Sequence, residues 1–147
     1  MSFEYPQGLR FKCLKCGICC GDTTEKNRHI LLLKSEAEQI AASIGKPTAE
    51  FTVKVEGTEP YVYEIRKTAK DGKCVFLKSN QCTVYSLRPL ICRFYPFELK
   101  AVVNRNHEFH PTDECPGLGK GRLMREEHFG KLFKLAQKGA RVERRLN

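Results

Sequence analysis

Apolar positions along this chain come in short groups with different periods. Ala37, Ile40, Ala41 and Ile44 repeat at helical spacing. Ser35-Glu36-Ala37-Glu38 reads as a capping box and Gly45 as a stop, so a helix is predicted over 36–44. Pro47 is read as opening a short turn that carries Phe51 inward. Tyr61, Tyr63 and Ile65 alternate with Val62, Glu64 and Arg66, the period of a strand. Two short extended pieces, 74–77 and 82–85, flank Lys78-Ser79-Asn80-Gln81, which reads as a hairpin-like turn. Pro89 fits the first turn of a short helix that Pro96 prevents from continuing. A further strand is expected over 99–103 and a last helix over 122–138. In that helix Phe129, Leu132, Phe133 and Ala136 keep i, i+3, i+4, i+7 spacing, and Glu127 stands four before Lys131. The pattern predicts an α+β fold, a small single domain with short strands, irregular connections and a C-terminal helix. Its expected division is a cysteine-bearing part over 1–121 and a basic helix and tail over 122–147 packed on it.

Composition bounds this picture. The 147 residues are 41% hydrophobic and 10% aromatic, enough for one modest core. The longest apolar run, Ile30-Leu31-Leu32-Leu33, is far short of the ~20 residues that cross a bilayer, so no membrane partner is expected. Met1-Ser2-Phe3-Glu4-Tyr5-Pro6 lacks the basic-then-apolar pattern of a secretory signal, and the expectation is a cytoplasmic protein. The net charge is +9, concentrated in 118–147, where nine Lys or Arg face three Glu. That excess suits an acidic protein partner or nucleic acid, and equally a solvated helix face.

The eight cysteines, Cys13, Cys16, Cys19, Cys20, Cys74, Cys82, Cys92 and Cys115, change the picture most. In a reducing compartment clustered thiols bind metal rather than pair as disulfides, and adjacent Cys19 and Cys20 cannot bridge each other without strain. C-x2-C lets two thiolates reach one metal from a single tight turn. Cys13-Leu14-Lys15-Cys16-Gly17 resembles the turn of zinc ribbons. Extended to Cys19 it matches the three-cysteine run of bacterial-type ferredoxins, with Cys115-Pro116 resembling the Cys-Pro of a remote fourth ligand. A small buried hydrophobe is the alternative for one or two thiols, Cys20 or Cys92 first, but not for all eight. A four-thiolate site around Zn²⁺ or an oxidised 4Fe–4S cube carries a charge near −2. Arg88 and Arg93, close to Cys92, are the candidates to offset it or to donate hydrogen bonds to sulfur. Tyr85 and Tyr95 are expected to be core rings.

Other signals are weaker. Gly117-x-Gly119-Lys120-Gly121 fits neither a P-loop nor a dinucleotide pattern and reads as a flexible exit from the metal site. His107 and His110, i and i+3, are a spacing that can bind metal where eight thiols already serve. No nucleophile–base signature is visible, so enzymatic activity is undecided.

Three cysteine-bearing stretches carry a family resemblance. They are Phe11-x-Cys13-x2-Cys16-Gly17-x-Cys19-Cys20, then Cys74-x-Phe76-Leu77-x4-Cys82-x-Val84-Tyr85-x2-Arg88-Pro89-x2-Cys92-Arg93-x-Tyr95-Pro96-Phe97, and Cys115-Pro116-Gly117. Together they resemble the YkgJ-type cysteine-cluster family, over roughly residues 9 to 121. The resemblance implies zinc or iron chelation, often as an iron–sulfur cluster. A related domain in larger flagellin lysine methylases suggests a part in protein methylation by analogy alone.

Two functional classes follow. One is a metalloprotein carrying an iron–sulfur cluster, 4Fe–4S in type, or zinc. The other is a zinc-stabilised module that uses its basic C-terminal helix to bind nucleic acid or an acidic partner. Eight thiols allow two tetrahedral sets. The expected division places Cys13, Cys16, Cys19 and Cys115 at one centre. Consecutive side chains diverge, which sends Cys20 to the other with Cys74, Cys82 and Cys92. A single site with several buried thiols is the rival arrangement.

Overall fold

The computed structural model describes residues 2–14, 16, 20–22, 27–101 and 106–146, with side chains to residue 139 except that of residue 101. The chain is α+β, with four small sheets and three α-helices among the described residues. β1 (Ser2–Glu4) runs parallel to β9 (Asn106–Pro111), which pairs antiparallel with β8 (Phe97–Ala101). β2 (Arg10–Phe11) pairs with β10 (Arg122–Leu123). β3 (Leu31–Leu32) and β4 (Thr52–Lys54) flank β5 (Tyr63–Ile65), and β6 (Leu77–Lys78) with β7 (Gln81–Cys82) forms a hairpin. The helices are α1 (Lys34–Ile44), α2 (Leu90–Phe94) and α3 (Glu126–Leu146).

α1 buries Ala37 and Ile40 as its periodicity requires, and Gly45 closes it in the left-handed conformation, φ 68°. Its start differs from the sequence expectation. The cap is Leu33, whose N–H donates to Glu36 Oε1 at 3.0 Å, so Glu36 rather than Glu38 completes the cap. Glu36 Oε2 also accepts from the Leu90 N–H at 2.5 Å. One carboxylate thus fixes the starts of α1 and α2, a tie of 54 residues that local pattern does not reveal. Phe51 is buried after a 3-10 turn over Thr48–Glu50, as expected.

Two apolar clusters form the interior. Ile30, Leu32, Ala37, Ile40, Phe51, Ile65, Phe76 and Val84 make the first, under α1 and the β3-β5-β4 sheet. The second holds Leu90, Phe94, Phe97, Phe109, Phe129, Leu132 and Phe133. α2 serves both: Leu90 and Phe94, four apart, pack into the second cluster while Ile91 and Cys92 lie against the first. The expected strand over 99–103 begins earlier, at Phe97, and residues 102–105 lie outside the described set. The last helix starts at Glu126 rather than 122 and continues to Leu146, because Arg122 and Leu123 pair with β2 instead. Its Phe129, Leu132 and Phe133 are buried and Ala136 is half-buried, which bears out the stripe. No helix among the described residues is long and apolar enough to cross a membrane.

Candidate metal centre

A backbone clamp draws the segment of Cys115 toward that of Cys13 and Cys16. Immediately after β2 the Lys12 N–H donates to Gly117 O at 3.1 Å, and the Gly119 N–H donates to Arg10 O at 2.8 Å. Arg10 Nη1 reaches Gly121 O at 3.0 Å. The loop over 117–121 is therefore bound along β2 and is not the flexible exit its glycines suggest. Glycine is needed there: a Cβ on Gly117 would sit 2.0 Å from Lys12 O, and one on Gly121, at φ 78°, 2.8 Å from Phe11 O. The clamp brings Cys115 within electrostatic reach of Cys16 and Cys13. The Cys115 thiol is held above its ordinary range, mainly by burial; hydrogen bonds from Gly117 and Leu118 oppose that, and the two neighbouring thiols reinforce it. Cys13 and Cys16 are exposed. Cys19 lies outside the described residues.

Gly117→Ala is accordingly expected to open the clamp. It should cost about 1–3 kcal/mol, as other overpacked sites do. Faster hydrogen exchange at the Lys12 amide, alongside a lowered Tm, checks this; a protected Lys12 amide in the variant would contradict it.

The other four cysteines line the first apolar cluster. Cys74 is buried in it, and Cys20, Cys82 and Cys92 are packed against it, half-buried. Three local devices deliver them, one shared by Cys20 and Cys74. Gly21 forms a bridge with Lys73 so close that a Cβ would stand 2.4 Å from Gly72 O, and the Cys74 N–H donates to Cys20 O. Ser79 and Asn80, both at positive φ, turn the β6–β7 hairpin and set Cys82 opposite Leu77. α2 presents Cys92. Between the two groups lies an open cleft of about 280 Å³, lined by Cys16, Cys74, Thr68, Asp71, Lys73, Leu77, Ser79 and Asn80. Among the described residues, no three Cys, His, Asp or Glu side chains stand close enough to hold one ion.

Arg88 and Arg93 are engaged elsewhere than sequence proximity to Cys92 suggests. Arg88 stacks on Tyr85 at 3.9 Å and donates to Tyr85 O, while Arg93 donates to Arg88 O at 3.0 Å and Ser86 O at 3.4 Å. Both brace the turn over 85–88. Tyr85 is not a core ring: it is 61% exposed. His107 and His110 sit on β9, where residues three apart face opposite sides; His107 packs on Phe133 and His110 pairs with Glu108.

A polar junction that sequence reading missed lies between the cysteine segments. Asp22 Oδ1 accepts from Lys67 Nζ at 2.7 Å and from the Arg28 N–H at 2.8 Å, which hold its carboxyl below the usual carboxylate range. Arg28 Nη2 pairs with Glu114 Oε2 at 2.7 Å. Its guanidinium lies over the Tyr95 ring at 4.8 Å, and its Nε–H is buried without a hydrogen-bond partner among the described residues. The only sequence signal was the alternation of charges beside the cysteines, which any surface loop shares.

Thiolates are soft donors suited to zinc and iron, and the chain carries eight of them. The comparison with known proteins agrees: residues 12–116 match a family described as "CxxCxxCC: Putative zinc- or iron-chelating domain". The chain belongs to the CxxCxxCC family. A relative in Methanocaldococcus jannaschii, titled an uncharacterized protein, is 30% identical over 143 residues, covering 91% of this chain and 72% of its own. No solved structure matches the chain. In this CxxCxxCC domain the match spans every cysteine from Cys13 to Cys115.

Proposed function

We propose that this CxxCxxCC protein binds zinc or an iron–sulfur cluster through two thiolate sets, Cys13, Cys16, Cys19 and Cys115, and Cys20, Cys74, Cys82 and Cys92. The observation that supports the reading is the clamp, which brings Cys115 within electrostatic reach of Cys13 and Cys16 across about a hundred residues of chain. The shared packing of Cys20, Cys74, Cys82 and Cys92 on one apolar cluster supports the second set. Burial raises the cost of the free Cys115 thiolate, and a bound cation removes it. Bound zinc would act as a tetrahedral staple; a cluster would add one-electron chemistry. In either case the protein's part is to orient sulfur, exclude water and supply counter-charge. Anaerobic purification followed by metal analysis and an absorption spectrum tests the proposal. Brown protein with iron and acid-labile sulfide is the expected result for a cluster, and colourless protein with stoichiometric zinc for a staple. Protein with neither metal would refute it.

A further inference from the structure

We propose that the outer face of α3 binds the phosphate backbone of a nucleic acid through a row of cations at positions 131, 134, 138, 141 and 145. The inference goes beyond the metal-binding reading and does not rest on it. At about 3.6 residues per turn these positions, three and four apart, form one stripe opposite Phe129, Leu132, Phe133 and Ala136. Lys131, Lys134 and Lys138 are exposed, and none of them makes an ion pair among the described residues. The backbone stays helical to Leu146, so Arg141 and Arg145 continue the row. It extends about 21 Å, the rise of about six nucleotides of one duplex strand. The other side of the helix is occupied. Phe129, Leu132 and Phe133 are buried in the second cluster, and a Cβ on Gly139 would stand 2.8 Å from Leu33 Cδ1. β10 leads into the helix and pairs with β2, which brings the exposed Arg10 and Lys12 to its N-terminal end, where Arg122 also lies.

A face that only keeps the helix solvated does not need this row. Like charges three and four apart weaken a helix, and of the three glutamates in α3 only Glu127 shares the stripe. Cations complement the helix dipole in the last turn, which accounts for Arg144 and Arg145 but not for Lys131, Lys134 and Lys138. A membrane surface would require the apolar side of the helix, which the core covers. Lysine is depleted in protein–protein interfaces, whereas phosphate contacts are built largely from Lys and Arg.

Fluorescence anisotropy of the full-length protein tests this. The probes are a single-stranded RNA of about 20 nucleotides and a DNA duplex of similar length, between about 50 and 200 mM salt. The parent is expected to bind at least one of them, with log affinity falling linearly against log salt. The triple variant Lys131→Gln, Lys134→Gln, Lys138→Gln should bind about tenfold more weakly or worse at the lower salt, with a slope reduced by about 2–3. Arginine at the same three positions should keep both. Lys134→Gln alone, expected to lower the slope by about 1, serves if the triple variant loses its helical circular dichroism. A parent that binds neither probe, or a folded glutamine variant with parent-like affinity and slope, would overturn the proposal. Poly-glutamate that competes as well as nucleic acid of equal charge, or phosphatidylserine vesicles bound where neither oligonucleotide is, would overturn it in favour of an acidic protein or a membrane.

Discussion

Chelation of the metal-loaded protein is expected to abolish cooperative unfolding. The segments that bear the cysteines have little regular structure of their own: β2, β6 and β7 are two residues each and α2 is five. They are joined by a few backbone hydrogen bonds, such as Lys12 to Gly117 and Cys74 to Cys20. Structural zinc contributes about 10–16 kcal/mol in small metal-folded domains, comparable with or larger than the ~5–15 kcal/mol net stability of a typical domain. Removing such a contribution leaves two apolar clusters, the first of them carrying Cys20, Cys74, Cys82 and Cys92. Calorimetry before and after chelation, with metal loss verified, provides the measurement. Cys16→Ser should reproduce the loss in part, since Cys16 is exposed and has no packing role. Metal-free protein that melts as sharply and as high as the loaded form would show that the thiolates are not a folding requirement.

Phe129→Ala is expected to destabilise the protein by about 3–5 kcal/mol, the usual cost of emptying a buried aromatic site. Phe129 is fully buried, at 0% exposure. It stacks on Tyr5 at 4.9 Å and meets Phe97 edge-on at 4.9 Å and Phe109 at 5.1 Å. These partners come from the N-terminal segment, β8 and β9, so one ring joins α3 to the sheet that α3 covers. The cavity is surrounded by rings on rigid elements and has little room to collapse. Chemical denaturation of the metal-loaded variant measures the effect. A loss below about 1 kcal/mol would mean that the second cluster is more plastic than its ring geometry shows. Metal content should stay at the parent level, because Phe129 belongs to the cluster away from Cys20, Cys74 and Cys82.

The elements legible in the sequence are those with local causes. The stripe Ala37-Ile40-Ala41-Ile44 with Gly45, the Ser79-Asn80 turn and the Phe129–Ala136 repeat each state their structure within a dozen residues, because helical and hairpin periodicity are short-range properties. The cysteine spacing likewise sufficed to identify the family and its metal chemistry, since thiolate clusters have few alternative uses. What failed were features whose partner is far along the chain. β1 and β2 are too short to show a period, and they exist because Asn106–Pro111 and Arg122–Leu123 offer them hydrogen bonds. The glycines of 117–121 suggested mobility, yet three of their backbone groups are bound to residues 10 and 12, and two of them are glycine because β2 passes too close for a Cβ. Arg88 and Arg93, close to Cys92 in sequence, make hydrogen bonds within the turn over 85–88, which sequence spacing does not reveal. The junction around Arg28 is likewise invisible in the sequence. Its partners, Asp22, Lys67, Tyr95 and Glu114, span 92 residues, and only folding makes them neighbours. Sequence alone thus determined which thiols the chain offers to a metal; the tertiary structure decided which backbone clamp draws their segments toward one another, because close approach depends on distance in space.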